Sequence, residues 1–391
     1  MWDQKLTRRA WVEFPPRDPG SPNPLAFRDG AFSHSGMDTE PPRTNDSPRS
    51  NLALRFGLGL GLYALIVWGL WIAAHKFGVP QNLHGHFIAP FAAVALMFGV
   101  LWAFGWGAGE PLARWPSDPP PHERSRSSIP LLAAVPITRV LLPGLFAAGI
   151  YLLFAVPLDE FSARALLLFF AFPTLLAGLL EYLPPGAKIG WQDVIVLGAV
   201  GCAVEYGWLQ WTLPHPGLGN VPKFLLTDVA LYLYVIQRRL PGMGFDLRLR
   251  WRDVGIGARE WALFAPIGIG LGLALGFLRF HARLPVAGTF VGTALVTFLF
   301  VALPEELFFR CLLQNLLETR LPRRQALALA AAIFGLSHYI HGPVFNWRYV
   351  ILAAIAGWFY GRAWRSERRV GASAITHTAV DTVWVTWFLA H

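Results

Sequence analysis

Cysteine is almost missing. Cys202 and Cys311 are the only two in 391 residues, both lie inside apolar blocks, and no CxxC or Cys/His ligand spacing occurs. A disulfide framework or a cysteine zinc knuckle is therefore not expected. Charge is scarce as well: 15% of residues are Asp, Glu, Lys or Arg, where an average soluble domain carries about a quarter. No long apolar run precedes Leu52, so no cleaved signal peptide is expected. Hydrophobic residues make up 54% of the chain, in long blocks separated by short basic or proline-rich joints. That patterning indicates an integral membrane protein. The net charge of +9 does not point to nucleic acid, because the arginines gather between the apolar blocks, the distribution that orients a membrane protein.

About eleven spanning segments are expected, near 53–75, 87–107, 131–156, 163–183, 191–213, 224–237, 261–278, 286–317, 325–340, 349–363 and 371–389. The fold class is all-α, a polytopic transmembrane helical bundle. Several segments are shorter than the roughly twenty residues of a straight span, so tilted or partial crossings are expected. The stretch from Val286 to Leu317 is too long for one straight crossing, and Pro304 should kink it. Residues 1–52, rich in Pro, Arg, Ser and Asp, read as a disordered cytoplasmic tail, with Met37 as an alternative start. Arginine joints at 114–126, 238–259, 320–324 and 362–369 all fall on one side of an eleven-span topology, and 157–162 and 341–347 lack Lys and Arg. The amino terminus is then cytoplasmic and the carboxyl terminus outside, in a bacterial inner membrane. The basic loop 238–260 separates a six-span region, 53–240, that has no assigned role from residues 241–391. The glycine runs at 56–63 and 268–276 lie mid-span and read as close helix packing.

Residues 303–310, LPEELFFR, break an apolar block with three charges. At the bilayer centre each costs about 2.5–3.5 kcal/mol, so something must offset them. On a helix Glu306 and Arg310 are i, i+4 and can pair, whereas Glu305 points about 100° away and is left over. FGLSH (334–338) and HTAVD (377–381) interrupt two later segments, with His377 and Asp381 on one helical face. At about 1.5 Å per residue, Glu305 and His338 lie about 20 Å from the cytoplasmic arginines, His377 about 10 Å and Asp381 about 16 Å. A shared buried pocket is feasible. A structural network needs only balanced charge; a leftover carboxylate near two imidazoles favours catalysis or ion handling. Glu181, Glu205 and Asp228 read as helix-packing or helix-end groups.

EELFFR, FGLSH and HTAVD, in that order, resemble the EExxxR, FxxxH and HxxxN or HxxxD motifs of the CPBP family. These are glutamate-based intramembrane proteases related to the Rce1-type, or type II, CAAX prenyl endopeptidases, also called Abi. The resemblance covers roughly 241–391 and implies a carboxyl-terminal protease core. It implies that Glu305 and His338 activate a water, that Glu306, Arg310 and Phe334 support the site, and that His377 and Asp381 face the developing oxyanion. The implied substrate is a membrane-embedded or lipid-anchored peptide, cut near the cytoplasmic side. Bacterial relatives are linked to bacteriocin immunity, peptide maturation and exosortase-type sorting, and the exosortase-associated branch is one home for this chain. Bacteria generally lack prenylated CAAX proteins, which speaks against a prenylated substrate and leaves open whether one is cleaved.

Two departures matter. Asp381 stands where the best-studied relatives have asparagine; an ionised aspartate cannot donate a hydrogen bond, so it is read as orienting His377. Cys311 stands where many relatives carry glycine, with a packing consequence only. No cofactor is expected. Two Glu and two His are donors that zinc accepts, but HExxH is absent and the resemblance points to a metal-independent reaction. Two other classes compete: a non-catalytic scaffold or immunity-type protein that keeps the charges for folding, and a proton-coupled transporter, which would call for inverted repeats not seen here.

Overall fold

The computed structural model describes residues 48–77, 87–108, 137–181, 183, 188–214, 218, 220–282, 284–340 and 346–390. The expected tail up to residue 47, Met37, the joint bearing Arg114, Arg124 and Arg126, and residues 341–345 lie outside the described residues. The chain divides into two units, Met1–Asn51 and Leu52–His391, and the architecture below is that of the second. Among the described residues eleven helices follow one another: α1 Pro48–Phe77, α2 Ile88–Ala108, α3 Ile137–Ala155, α4 Ala163–Glu181, α5 Trp191–Glu205, α6 221–237, α7 Trp251–Ala274, α8 Ala287–Leu317, α9 323–340, α10 Trp347–Glu367 and α11 Val370–Trp387. Each overlaps one of the expected segments. By length and composition α2, α3, α4 and α8 suffice to cross a membrane. A short antiparallel ribbon, β1 Leu278–Phe280 with β2 Phe388–Ala390, ties the end of α7 to the end of α11.

The helices are apolar on both faces. On α4, Phe169, Leu176 and Leu180 are buried, while Leu167 and Leu175 are 65% and 71% exposed. In water such a surface would aggregate; in hydrocarbon each helix satisfies its own backbone and its outer face needs no partner. Close packing in the glycine runs holds at Gly59, where the Trp102 indole donates to the glycine carbonyl at 2.8 Å, and at Gly272 against Leu278. Gly57, Gly61 and Gly270 face open space.

α8 carries two π-helical stretches, Phe298–Ala302 and Leu307–Gln314, on either side of Leu303–Glu306. Pro304 has no N–H and its ring crowds the carbonyl four residues back, and wider turns flank it on both sides. Each wide turn re-aims the side chains beyond it. Such turns recur at functional sites.

The arginine joints after α6, α8 and α10 meet at one end of the bundle. Asn315 donates to the Pro241 carbonyl at 2.8 Å, Trp364 to Met243 at 3.1 Å and Arg320 to Ile189 at 2.6 Å. Not all of these arginines are solvated. Arg238 is fully buried and grips Asp193 with two nitrogens at 3.0 and 3.1 Å. Arg369 bonds Asp253 at 3.0 Å and Asp246 at 2.6 Å. Gly244 threads this knot at φ +67, where a Cβ would collide with the Arg368 carbonyl.

Burial pushes the Asp246 carboxyl up, but hydrogen bonds from Arg248 and Arg369 outweigh it and hold the group below its usual 3.8. A lowered folded value means stability that is present above the ordinary value and lost as pH falls through the folded one. Asp246→Asn should therefore lower Tm at neutral pH by a few degrees, with the gap to wild type closing below about pH 3.8. A gap that stays constant to the acid limit would show that the charge contributes nothing.

Candidate active site

Lys223, Glu305, His338, His377 and Asp381 line one cavity of about 300 Å³ among α6 through α11. Its walls are otherwise mostly apolar, and it has room for several waters among polar partners. The three sequence motifs supply four of these five groups. The fifth comes from elsewhere.

The first motif divides its labour. Glu306 and Arg310 are both fully buried, and the Arg310 Nε donates to Glu306 at 2.9 Å. The two terminal nitrogens of Arg310 have no hydrogen-bond acceptor among the described residues; the guanidinium instead lies 5.1 Å from the Phe334 ring centre and 5.9 Å from that of Tyr360. Cation–π attraction is strongest where water is excluded, as here. Glu305, one residue before Glu306, projects into the cavity with its side chain 13% exposed. The 100° step along the helix thus separates a buried clasp from a cavity-lining acid.

Glu306 does more than hold its own helix. Its second oxygen meets the His377 Nδ1 at 3.0 Å, so Arg310, Glu306 and His377 form one chain across α8 and α11. A helical wheel could not show this link, because it compares neighbours on one helix only. The His377 Nε2 faces Asp381 at 3.4 Å and Glu305 at 3.8 Å. Tyr360 stacks on the ring at 4.5 Å and Phe334 meets it edge-on at 5.8 Å. With carboxylates at both nitrogens, the ring donates on both sides only as an imidazolium.

His338 ends the helical part of α9. Its Nδ1 lies 2.8 Å from the Phe334 carbonyl, which can only accept, so that nitrogen carries the proton. Nε2 is then the basic atom of the neutral ring. Phe334 and Tyr349 pack the ring at 4.8 and 4.7 Å. Phe334 thereby touches Arg310, His338 and His377 at once. Cys311 is fully buried and does not line the cavity.

Lys223 is the residue that sequence reading missed. It lies in the first turn of α6, inside the region without a role, and its Nζ meets the Glu305 Oε1 at 2.8 Å. Glu205 at the end of α5 borders a small adjoining void with Lys223 and Glu305, so it too is nearer the site than a packing role suggests. A lone lysine entering an apolar helix was the available signal.

His338 and Lys223 lie at helix ends remote from the arginine joints, and Leu278 and Phe388 of the ribbon line the same cavity. The cavity thus lies toward the ends of these helices that are remote from the arginine joints. Among the described residues no group of three or more His, Cys, Asp or Glu is placed to hold a metal ion.

The protein-family comparison matches residues 287–383 to the family described as Type II CAAX prenyl endopeptidase Rce1-like. The match spans about a quarter of the chain and contains every residue of the three motifs, but not Lys223. It does not single out the exosortase-associated branch. Comparison with the curated proteins and with the solved structures gave no match.

Proposed function

We propose that this chain, whose residues 287–383 form a domain of the type II CAAX prenyl endopeptidase Rce1-like family, is an intramembrane endopeptidase that uses water as its nucleophile. The observation that carries the reading is that Glu305 and His338, from α8 and α9, share one cavity with His377. A water held between a carboxylate and the basic Nε2 of His338 loses its proton as its oxygen attacks the scissile carbonyl. The proton rests on Glu305 and is returned to the leaving amine as the C–N bond breaks. His377, held through Nδ1 by Glu306, turns Nε2 toward the developing oxyanion. Arg310 and Phe334 fix that chain in place.

The substrate is a membrane-embedded or lipid-anchored peptide, since the cavity lies among apolar helices. With the arginine joints cytoplasmic, the cut falls in the outer half of the bilayer. The test is cleavage by purified protein in liposomes of two probes, a farnesylated CAAX-type peptide and a single-span hydrophobic peptide, read by product mass. Cleavage of neither would remove the proposal.

Activity is expected to persist in phenanthroline at a concentration that strips zinc from a control metalloprotease. Loss that added zinc restores would replace the glutamate mechanism with a metal-assisted one.

A further inference from the structure

We infer that Lys223 is a catalytic residue of this site, the fixed cation that follows the negative charge from Glu305 to the oxyanion. The inference rests on the endopeptidase reading and adds a residue from outside the matched domain.

Three observations converge. The Lys223 ammonium has three N–H donors and one acceptor among the described residues, the Glu305 Oε1 at 2.8 Å. Its side chain is 25% exposed and lines the cavity as well as the adjoining void. The other donor, the His377 Nε2, is shared: besides the oxyanion position it faces Asp381 at 3.4 Å and Glu305 at 3.8 Å, so it supplies one hydrogen bond at most. Asp381 itself, when ionised, has no hydrogen to give. Two ammonium N–H groups are therefore uncommitted donors beside the general base.

Charge conservation then defines the role. Before attack the negative charge is on Glu305 and Lys223 neutralises it. As the water oxygen bonds to the carbonyl carbon, its proton passes to Glu305, which becomes neutral, and the carbonyl oxygen becomes the anion. The charge has moved by one substrate bond, and a cation bordering both positions stays paired throughout. When the C–N bond breaks, the proton leaves Glu305 for the amine and the original ion pair re-forms. An ammonium already held in place needs no reorganisation at the moment of reaction, which is what makes such a group effective in a water-poor site.

The experiment compares Lys223→Gln and Lys223→Arg with wild type and Glu305→Gln, in the full chain in liposomes, on whichever of the two probe peptides wild type cleaves. Gln keeps a donor toward Glu305 but removes the charge; Arg keeps the charge. Lys223→Gln should lose about 10²–10³-fold in kcat, the loss seen when one oxyanion donor is removed, with KM within about twofold of wild type. Lys223→Arg should keep kcat within about tenfold. Wild-type kcat in Lys223→Gln, with Glu305→Gln inactive, would overturn this inference and leave the protease reading intact. A change in KM alone, or failure of both Lys223 variants to accumulate, would also overturn it by making the lysine a binding or folding group. Absence of cleavage by wild type would overturn both.

Discussion

Glu305→Gln is expected to abolish peptide cleavage, by about 10³-fold or more given the usual range for a general base, while the protein still accumulates and inserts. Glutamine preserves the volume of the side chain and keeps an oxygen that can accept from the Lys223 ammonium, now 2.8 Å from the carboxylate. What it cannot do is take a proton. The substitution also leaves Lys223 without its counter-charge, so a Tm loss of a few degrees should accompany the loss of activity. That loss stays modest because both side chains border a cavity rather than solid core, with 25% and 13% of their surfaces open. Product formation and thermal stability measured on the same preparation separate the two effects. Wild-type cleavage by the Gln variant would end the role of Glu305 as base.

Arg310→Ala should do the reverse and strike folding first. Arg310 and Glu306 are both fully buried, and removing one partner of a buried pair costs about 3–5 kcal/mol because the other charge is stranded. Against a total stability of about 5–15 kcal/mol for an ordinary domain, that is a large fraction. The truncation also empties the space the guanidinium fills against Phe334 and Tyr360. Little folded protein is expected, read as the monodisperse fraction after extraction and as Tm. The double variant Glu306→Leu/Arg310→Met removes both charges and should recover much of the fold. It should not recover activity, because the Glu306 carboxylate also holds the His377 Nδ1 at 3.0 Å. A well-folded Arg310→Ala protein would show that the pair contributes no stability. An active double variant would show that His377 needs no anchor.

The two substitutions are adjacent in motif but opposite in consequence, and the difference was legible early. The i, i+4 relation of Glu306 and Arg310 and the 100° offset of Glu305 follow from helical geometry alone. Helix order was legible for a similar reason: a membrane segment satisfies its own backbone and advertises itself as an apolar run, with little need for distant partners. The wide turns of α8 were less so. Pro304 announced a disturbance, but where the wide turns fall depends on what packs beside the helix.

The chain's own order of residues thus determined the eleven helices of the described residues, a common end for their arginine joints, and the three motif helices that carry acid and imidazole groups. Tertiary structure alone decided that Glu306 reaches His377, that one Phe334 ring braces three site residues, and that Lys223, 82 positions before Glu305, completes the cavity. Periodicity reports which face of one helix a residue occupies. It carries no information about which other helix that face will meet, because in a membrane the packing partner is selected by close side-chain fit and buried charge rather than by distance along the chain.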